Sequence, residues 1–184
     1  INGASLASQQ KGENRLLYAS AKLSRPVHIS GTPRITIKLA SSQPAVNLSV
    51  WLVSLPWKKG GKTNDNLISR GWADPQNHES LRESERLVPG RFYKLNFDFQ
   101  PDDQVIPRGQ RIGLMIFSSD KDFTLWPKPG TELTIDLDAT SIELPVVGGP
   151  RALRRATTPR RRRLSIPAMP IHHPLPRINE SGGF

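Results

Sequence analysis

The chain has 184 residues, no cysteine and a formal net charge of +10. Its 36% hydrophobic and 23% charged residues suit one soluble domain with some chain to spare. Without cysteine there is no disulfide framework, thiolate metal site or cysteine nucleophile, and no stretch approaches the ~18 uninterrupted apolar residues of a membrane-spanning helix.

The charge is unevenly placed. From Pro150 onward eight arginines face Glu180 alone, so that segment carries +7 and the residues before it only +3. Three zones follow. Residues 1–13 are small and polar and read as a linker or frayed terminus; with no initiating methionine, a larger parent chain is expected upstream. Residues 14–149 alternate short apolar runs with turns at roughly ten-residue spacing, the pattern of an antiparallel sandwich or barrel. Residues 150–184 are rich in arginine and proline and are expected to be disordered, as translation past a natural stop or in a shifted frame would leave them.

In the middle zone, apolar side chains recur every second residue, as strands require. Ile35, Ile37 and Leu39 face one way and Thr36 and Lys38 the other. Val46, Leu48, Val50 and Leu52 alternate with Asn47, Ser49 and Trp51. A short helix is expected after Asp74-Pro75, through Ser84. Tyr93, Leu95, Phe97 and Phe99 alternate with Lys94, Asn96 and Asp98. Ile112 to Phe117, apolar on both faces apart from Gly113, reads as a central strand. Leu133, Ile135 and Leu137 alternate with Thr134, Asp136 and Asp138, and Ile142 and Leu144 form a last strand ending at Pro145. Turns fall at Ser30-Gly31-Thr32-Pro33, Val88-Pro89-Gly90, Pro107-Arg108-Gly109 and Lys128-Pro129-Gly130. At least six strands and at most one helix define an all-β fold of two facing sheets.

Catalytic chemistry is sparse. A nucleophile elbow needs Gly-x-Ser-x-Gly after a strand, and the nearest approach, Gly3-Ala4-Ser5-Leu6-Ala7, lies in the unpatterned terminus. His28, His78, His172 and His173 have no partner at motif spacing, and no metal or cofactor site is indicated. Asp102-Asp103 and Asp120-Lys121-Asp122 read as solvated turns. Trp51 is expected in the core, whereas Trp57, Trp72 and Trp126, at loop ends, are the binding or interface candidates. Arg160 to Arg163 attract phosphate only non-specifically, since no Trp or Tyr follows Pro150 to read bases; no specific nucleic acid and no membrane partner is expected.

The ordered series Leu23-Ser24-Arg25-Pro26-Val27-His28-Ile29-Ser30-Gly31-Thr32-Pro33, Ile68-Ser69-Arg70-Gly71-Trp72, Leu87-Val88-Pro89-Gly90-Arg91-Phe92-Tyr93, Ile106-Pro107-Arg108-Gly109-Gln110-Arg111-Ile112-Gly113-Leu114 and Phe117-Ser118-Ser119-Asp120 resembles the C-terminal non-catalytic domain of X-Pro dipeptidyl-peptidases and cocaine-esterase-like (CocE/NonD) serine hydrolases. Pro129-Gly130-Thr131 and Leu144-Pro145-Val146-Val147-Gly148-Gly149 are similar to the end of the bacterial peptidases. Gly109-Gln110-Arg111 departs from the family's frequent Gly-His-Arg.

This resemblance implies a jelly-roll β-sandwich of the galactose-binding-like kind, packed on an α/β-hydrolase domain of the parent chain and helping to shape its cleft. The triad would lie in that domain, so no catalytic residue carries over, and the peptide substrate belongs to the parent. A bacterial parent, cytoplasmic or secreted, is implied, with the compartment undetermined. A domain parted from its partner would show a bare apolar face and self-associate. The alternative is an autonomous carbohydrate-binding module reading sugars with its loop tryptophans. A serine, histidine and acid joined as a triad within this chain would contradict the accessory-domain reading.

Overall fold

The structure, a computed structural model, describes residues 3–9, 12–58, 60, 62–118 and 120–158. Nine strands form among them: β1 (Leu16–Ala19), β2 (Val27–Gly31), β3 (Arg34–Ser41), β4 (Leu48–Leu55), β5 (Leu67–Ala73), β6 (Phe92–Asp98), β7 (Asp102–Ile106), β8 (Arg111–Phe117) and β9 (Leu133–Glu143). Two short helices flank them, α1 (Gly3–Ser8) and α2 (Gly149–Thr157).

The strands pair antiparallel in two layers. One is a four-stranded sheet in the order β1-β8-β4-β5. The other contains β6-β3-β9, extended by the β2-β7 ribbon through a bridge between Ile29 and Val146. The main core lies between the layers and is built from the side chains the alternation points inward: Ile35, Ile37 and Leu39 from β3, Leu48, Val50 and Leu52 from β4, Tyr93 and Leu95 from β6. Where β5 crosses this core the layers touch, because a Cβ on Gly71 would lie 3.1 Å from Val50 and 3.2 Å from Phe97. The fold is an all-β sandwich, as the alternation requires.

Strand β4 is buried on both faces, although its sequence alternates apolar with mixed residues. Its reverse face carries Trp51 and Val53, which join Met115 and Phe117 of β8 in a second cluster closed by Leu6 and Ala7 of α1. Residues 1–13, expected to be unstructured, therefore include a helix that seals the outer face of the four-stranded sheet. Gly3 sits so close to the Trp51 indole that a Cβ there would lie 2.2 Å from its ring. Six residues are too few for helical periodicity to show in the sequence.

Three further expectations change. The helix foreseen through Ser84 is only a single 3-10 turn, Pro75–Asn77. Asp74 caps it by accepting from the Gln76 N–H at 3.1 Å, but Leu81, the one large apolar residue beyond, is 94% exposed and gives the segment no face to bury. Asn77 instead holds the following loop, donating to the Ser80 and Glu83 carbonyls. The two runs at Leu133 and Ile142 are one strand, β9, in which the register against β3 shifts between Thr36 and Lys38. That bulge turns Leu137 outward, to 54% exposure, where strict alternation puts it inward.

The pattern also continues past Gly149. Gly148, left-handed at φ 81°, starts α2 with Pro150 in its first turn. Ala156 is buried, Leu153 packs on the main core, and the Ala156 carbonyl accepts from the Ser24 N–H at 2.7 Å and Oγ at 2.9 Å. The boundary read at the glycine pair was misplaced because Leu153 and Ala156 form too small a stripe to stand out among arginines. Residues 159–184, including His172 and His173, lie outside the described residues.

The second layer carries its charges on the outside. Arg34 and Asp98, paired across β3 and β6, meet at 2.6 Å, and Lys38 and Asp136, paired across β3 and β9, at 2.8 Å. Hydrogen bonds from these cations hold the Asp98 and Asp136 carboxyls below the usual range. A lowered carboxylate stabilises the fold above its ordinary titration range and loses that contribution as pH falls through its folded value. Melting temperature is therefore expected to fall below about pH 4, with a shallower fall in Asp98→Asn/Asp136→Asn and in high salt, as a scanning-fluorimetry series will show.

The α2 contact gives a second expectation. Ala156→Asp, which buries an unpaired charge, should cost about 3 kcal/mol in urea unfolding, and the exposed Arg151→Ala less than about 0.5 kcal/mol.

Candidate functional site

The β8–β9 connection crosses the outer face of the four-stranded sheet beside α1. It is anchored by Asp120, which is fully buried although sequence reading placed it in a solvated turn. Its Oδ2 accepts from the Trp51 indole Nε1 at 2.8 Å and from the Trp72 Nε1 at 3.4 Å. Its main-chain carbonyl accepts from the Phe123 and Thr124 N–H groups, both at 2.8 Å, so one residue both turns the loop and fastens it.

The strand register assembles the rest. Trp51 of β4 lies opposite Arg70 of β5, and Ser49 opposite Trp72, which puts all four on the outer face. The Arg70 guanidinium sits over the Trp51 ring at 4.7 Å and over the Phe123 ring at 4.5 Å, and Phe123 stacks on Trp72 at 5.4 Å. An arginine stacked on aromatic rings is held in place while its nitrogens stay free to donate. Burial lowers the Arg70 pKa, opposed by the nearby Asp120 and Asp122 carboxylates. Asp120 Oδ1, Ser49 Oγ and Arg70 Nε are buried without a hydrogen-bond partner among the described residues.

The loop then rises to the surface, where Phe123 is 50%, Leu125 84% and Trp126 62% exposed. A 230 Å³ hollow lies between Leu125, Thr124 and Trp72. A larger cleft of 920 Å³ opens beyond Trp126, lined by Arg15, Leu16, Phe117 and Glu132 among others.

The three tryptophans chosen from sequence differ in their surroundings. Trp57 is half-buried against the α1 cluster, Trp72 is half-buried under Phe123, and only Trp126 stands clear of the surface. Trp51, expected in the core, is buried but polar in its contact, since its N–H is held by Asp120. Sequence reading missed Asp120 and Arg70; an acid between Phe117 and Phe123, in a run otherwise leading to Leu125-Trp126, was the available signal.

One serine, histidine and acid do meet. His28 Nε2 and Asp103 Oδ1 are 2.6 Å apart, and the Ser30 side chain also bonds Asp103. The His28 contact, with Ser30, lowers the Asp103 carboxyl. Both bonds end on the carboxylate, so the imidazole does not lie between hydroxyl and acid and cannot take the serine proton. Asp103 is also well exposed, which denies the set the desolvated pocket that acyl transfer uses. Asp102 and Asp103 belong to β7 rather than to a turn. His78 lies edge-on to Tyr93 at 4.6 Å. Among the described residues no three His, Cys, Asp or Glu side chains gather as a metal site, and no helix is long and apolar enough to cross a membrane.

Two antiparallel layers with an aromatic, loop-covered outer face make this an all-β sandwich module. The chain belongs to the X-Pro dipeptidyl-peptidase C-terminal non-catalytic domain family, whose pattern matches residues 3–162. It is 63% identical over 149 residues to a protein of Rhodopirellula baltica provisionally named Xaa-Pro dipeptidyl-peptidase, covering 80% of this chain and 24% of that protein. A similarly named Bacillus cereus protein is 39% identical over 134 residues, 73% of this chain and 22% of that one. The chain thus spans about a quarter of the length of these relatives. Among solved structures, an α-amino acid ester hydrolase superposes with a TM-score of 0.60 at 19% identity, over 73% of this chain and 26% of that one.

The Asp120 anchor predicts a graded response. Asp120→Ala leaves two indole N–H groups without an acceptor and should cost about 2–4 kcal/mol. Asp120→Asn keeps an amide oxygen for both and loses mainly the attraction to Arg70, so its cost should be well under half of that. Urea unfolding followed by near-ultraviolet circular dichroism of the tryptophans measures both.

Proposed function

We propose that this chain is the accessory domain of a serine-type X-Pro dipeptidyl-peptidase. It packs on the α/β-hydrolase domain of its parent and helps shape the substrate cleft, and the parent removes X-Pro dipeptides from peptide amino termini through an acyl-enzyme. The observation that carries this reading is coverage: the chain matches a non-catalytic family over most of its described length, yet spans only 24% of its Rhodopirellula baltica relative. That proportion leaves ample chain for a separate catalytic domain. The interleaving of Ser30, Asp103 and His28 in the wrong order supports the same division of labour. A sugar platform gains little support from the tryptophans, since Trp57 and Trp72 are half-buried and, of the three, Trp126 alone is exposed.

The isolated chain is expected to release no chromophore from Gly-Pro-p-nitroanilide above buffer and to take no label from a serine-directed phosphonate. Turnover that such a phosphonate abolishes would show that the nucleophile is carried here, against the proposal.

A further inference from the structure

We infer that the surface formed by Arg70, Phe123, Leu125 and Trp126 is the seat of the parent's catalytic domain, and that Arg70 donates to an acceptor oxygen from that domain. This rests on the accessory-domain reading and adds to it the face and the anchoring residue.

Two independent features converge on this patch. The first is apolar: Phe123, Leu125 and Trp126 lie within four consecutive positions and are each at least half exposed, while the loop beneath them is fixed by Asp120 and by the Phe123–Trp72 stack. Large side chains held rigidly at the surface lose little entropy on docking. The second is polar. Arg70 is clamped between Trp51 and Phe123, yet its guanidinium makes no hydrogen bond or ion pair among the described residues, and its Nε is already buried. Much of the desolvation that docking would demand of this cation is therefore already met within the domain, as its lowered pKa also indicates. A fixed donor with unmet capacity beside Trp and Phe matches the composition of interface hot spots.

The occupant follows from chain length. Relatives that match this chain over 134 to 149 residues are about four times longer than the matched part, so the partner is the remainder of such a chain. Asp120 and Asp122 lie near Arg70, which leaves little net positive charge to attract a distant acid. The acceptor is accordingly a single oxygen, main-chain carbonyl or carboxylate, set within an apolar surface.

The test uses the Rhodopirellula baltica relative with this chain in place of its 149 matched residues, and the isolated chain as a folding control. Arg70→Met keeps the stacked length and removes every donor. In the isolated chain it should leave the fold intact and lower the melting temperature only modestly, because Asp120 loses the attraction of Arg70 but keeps both indole donors, and a buried unpaired Nε is removed. In the chimera it should speed proteolytic release of the domain at least about tenfold, as should Leu125→Ser/Trp126→Ser, while the remote exposed Leu81→Ser should not. Arg70→Lys, a donor without the planar fork, should fall between. Release unchanged in both Arg70→Met and Leu125→Ser/Trp126→Ser, or equally fast in Leu81→Ser, would overturn this assignment and leave the accessory-domain reading standing. If the unsubstituted chimera releases the domain as fast as the free chain is cut, docking itself is absent and both readings fall.

Discussion

The constraint that organises this molecule is a four-stranded sheet that is apolar on both faces. A two-layer sandwich covers one face of each sheet, and the other normally meets water. Here β4 and β8 place Trp51, Val53, Met115 and Phe117 on the outside, so the chain must supply a third covering layer. It does so from both sides of the sequence, with α1 over one half of the face and the β8–β9 loop over the other. Trp51 lies at the seam: Gly3 contacts its ring and Asp120 holds its indole N–H.

That arrangement explains why the buried carboxylate sits where it does. A loop laid over an apolar face gains burial but no register, since apolar contact has little directional preference. The bonds from Asp120 to two indole nitrogens supply direction, and the turn closed on its carbonyl sets where the chain leaves the sheet. The cost is a carboxylate out of water, with Arg70 and two N–H donors as compensation. Arg70 in turn gains aromatic faces but no hydrogen-bond acceptor of its own among the described residues.

The sheet strands were legible because period-two alternation survives wherever one face is wet. Tyr93 to Phe99 and Ile35 to Leu39 announce their inward faces residue by residue, and the layers follow. What was not legible depends on contacts distant in sequence. Asp120 looks like any surface acid until strand register brings Trp51 and Trp72 beneath it. α1 has too few residues for a helical stripe, and α2 hides Leu153 and Ala156 among arginines. Leu137 obeys the alternation in sequence and breaks it in space, because the β3–β9 register slips before it is reached. The interface candidates were chosen by residue type and loop position, which could separate Trp51 from the rest but not the covered Trp72 from the bare Trp126.

The slip in β9 has an effect beyond turning one leucine. This strand borders its sheet, pairing only with β3, and an eleven-residue border strand is long enough to template another chain. Between Asp136 and Ser141 this strand takes five steps against two from Thr36 to Lys38, which interrupts the ladder, and the Asp136 carboxylate is spent on the Ala139 N–H and on Lys38. A second copy arriving alongside would find neither a straight ladder nor a continuous row of free amides. The irregular register and the committed carboxylate thus guard that flank against sheet-to-sheet fusion.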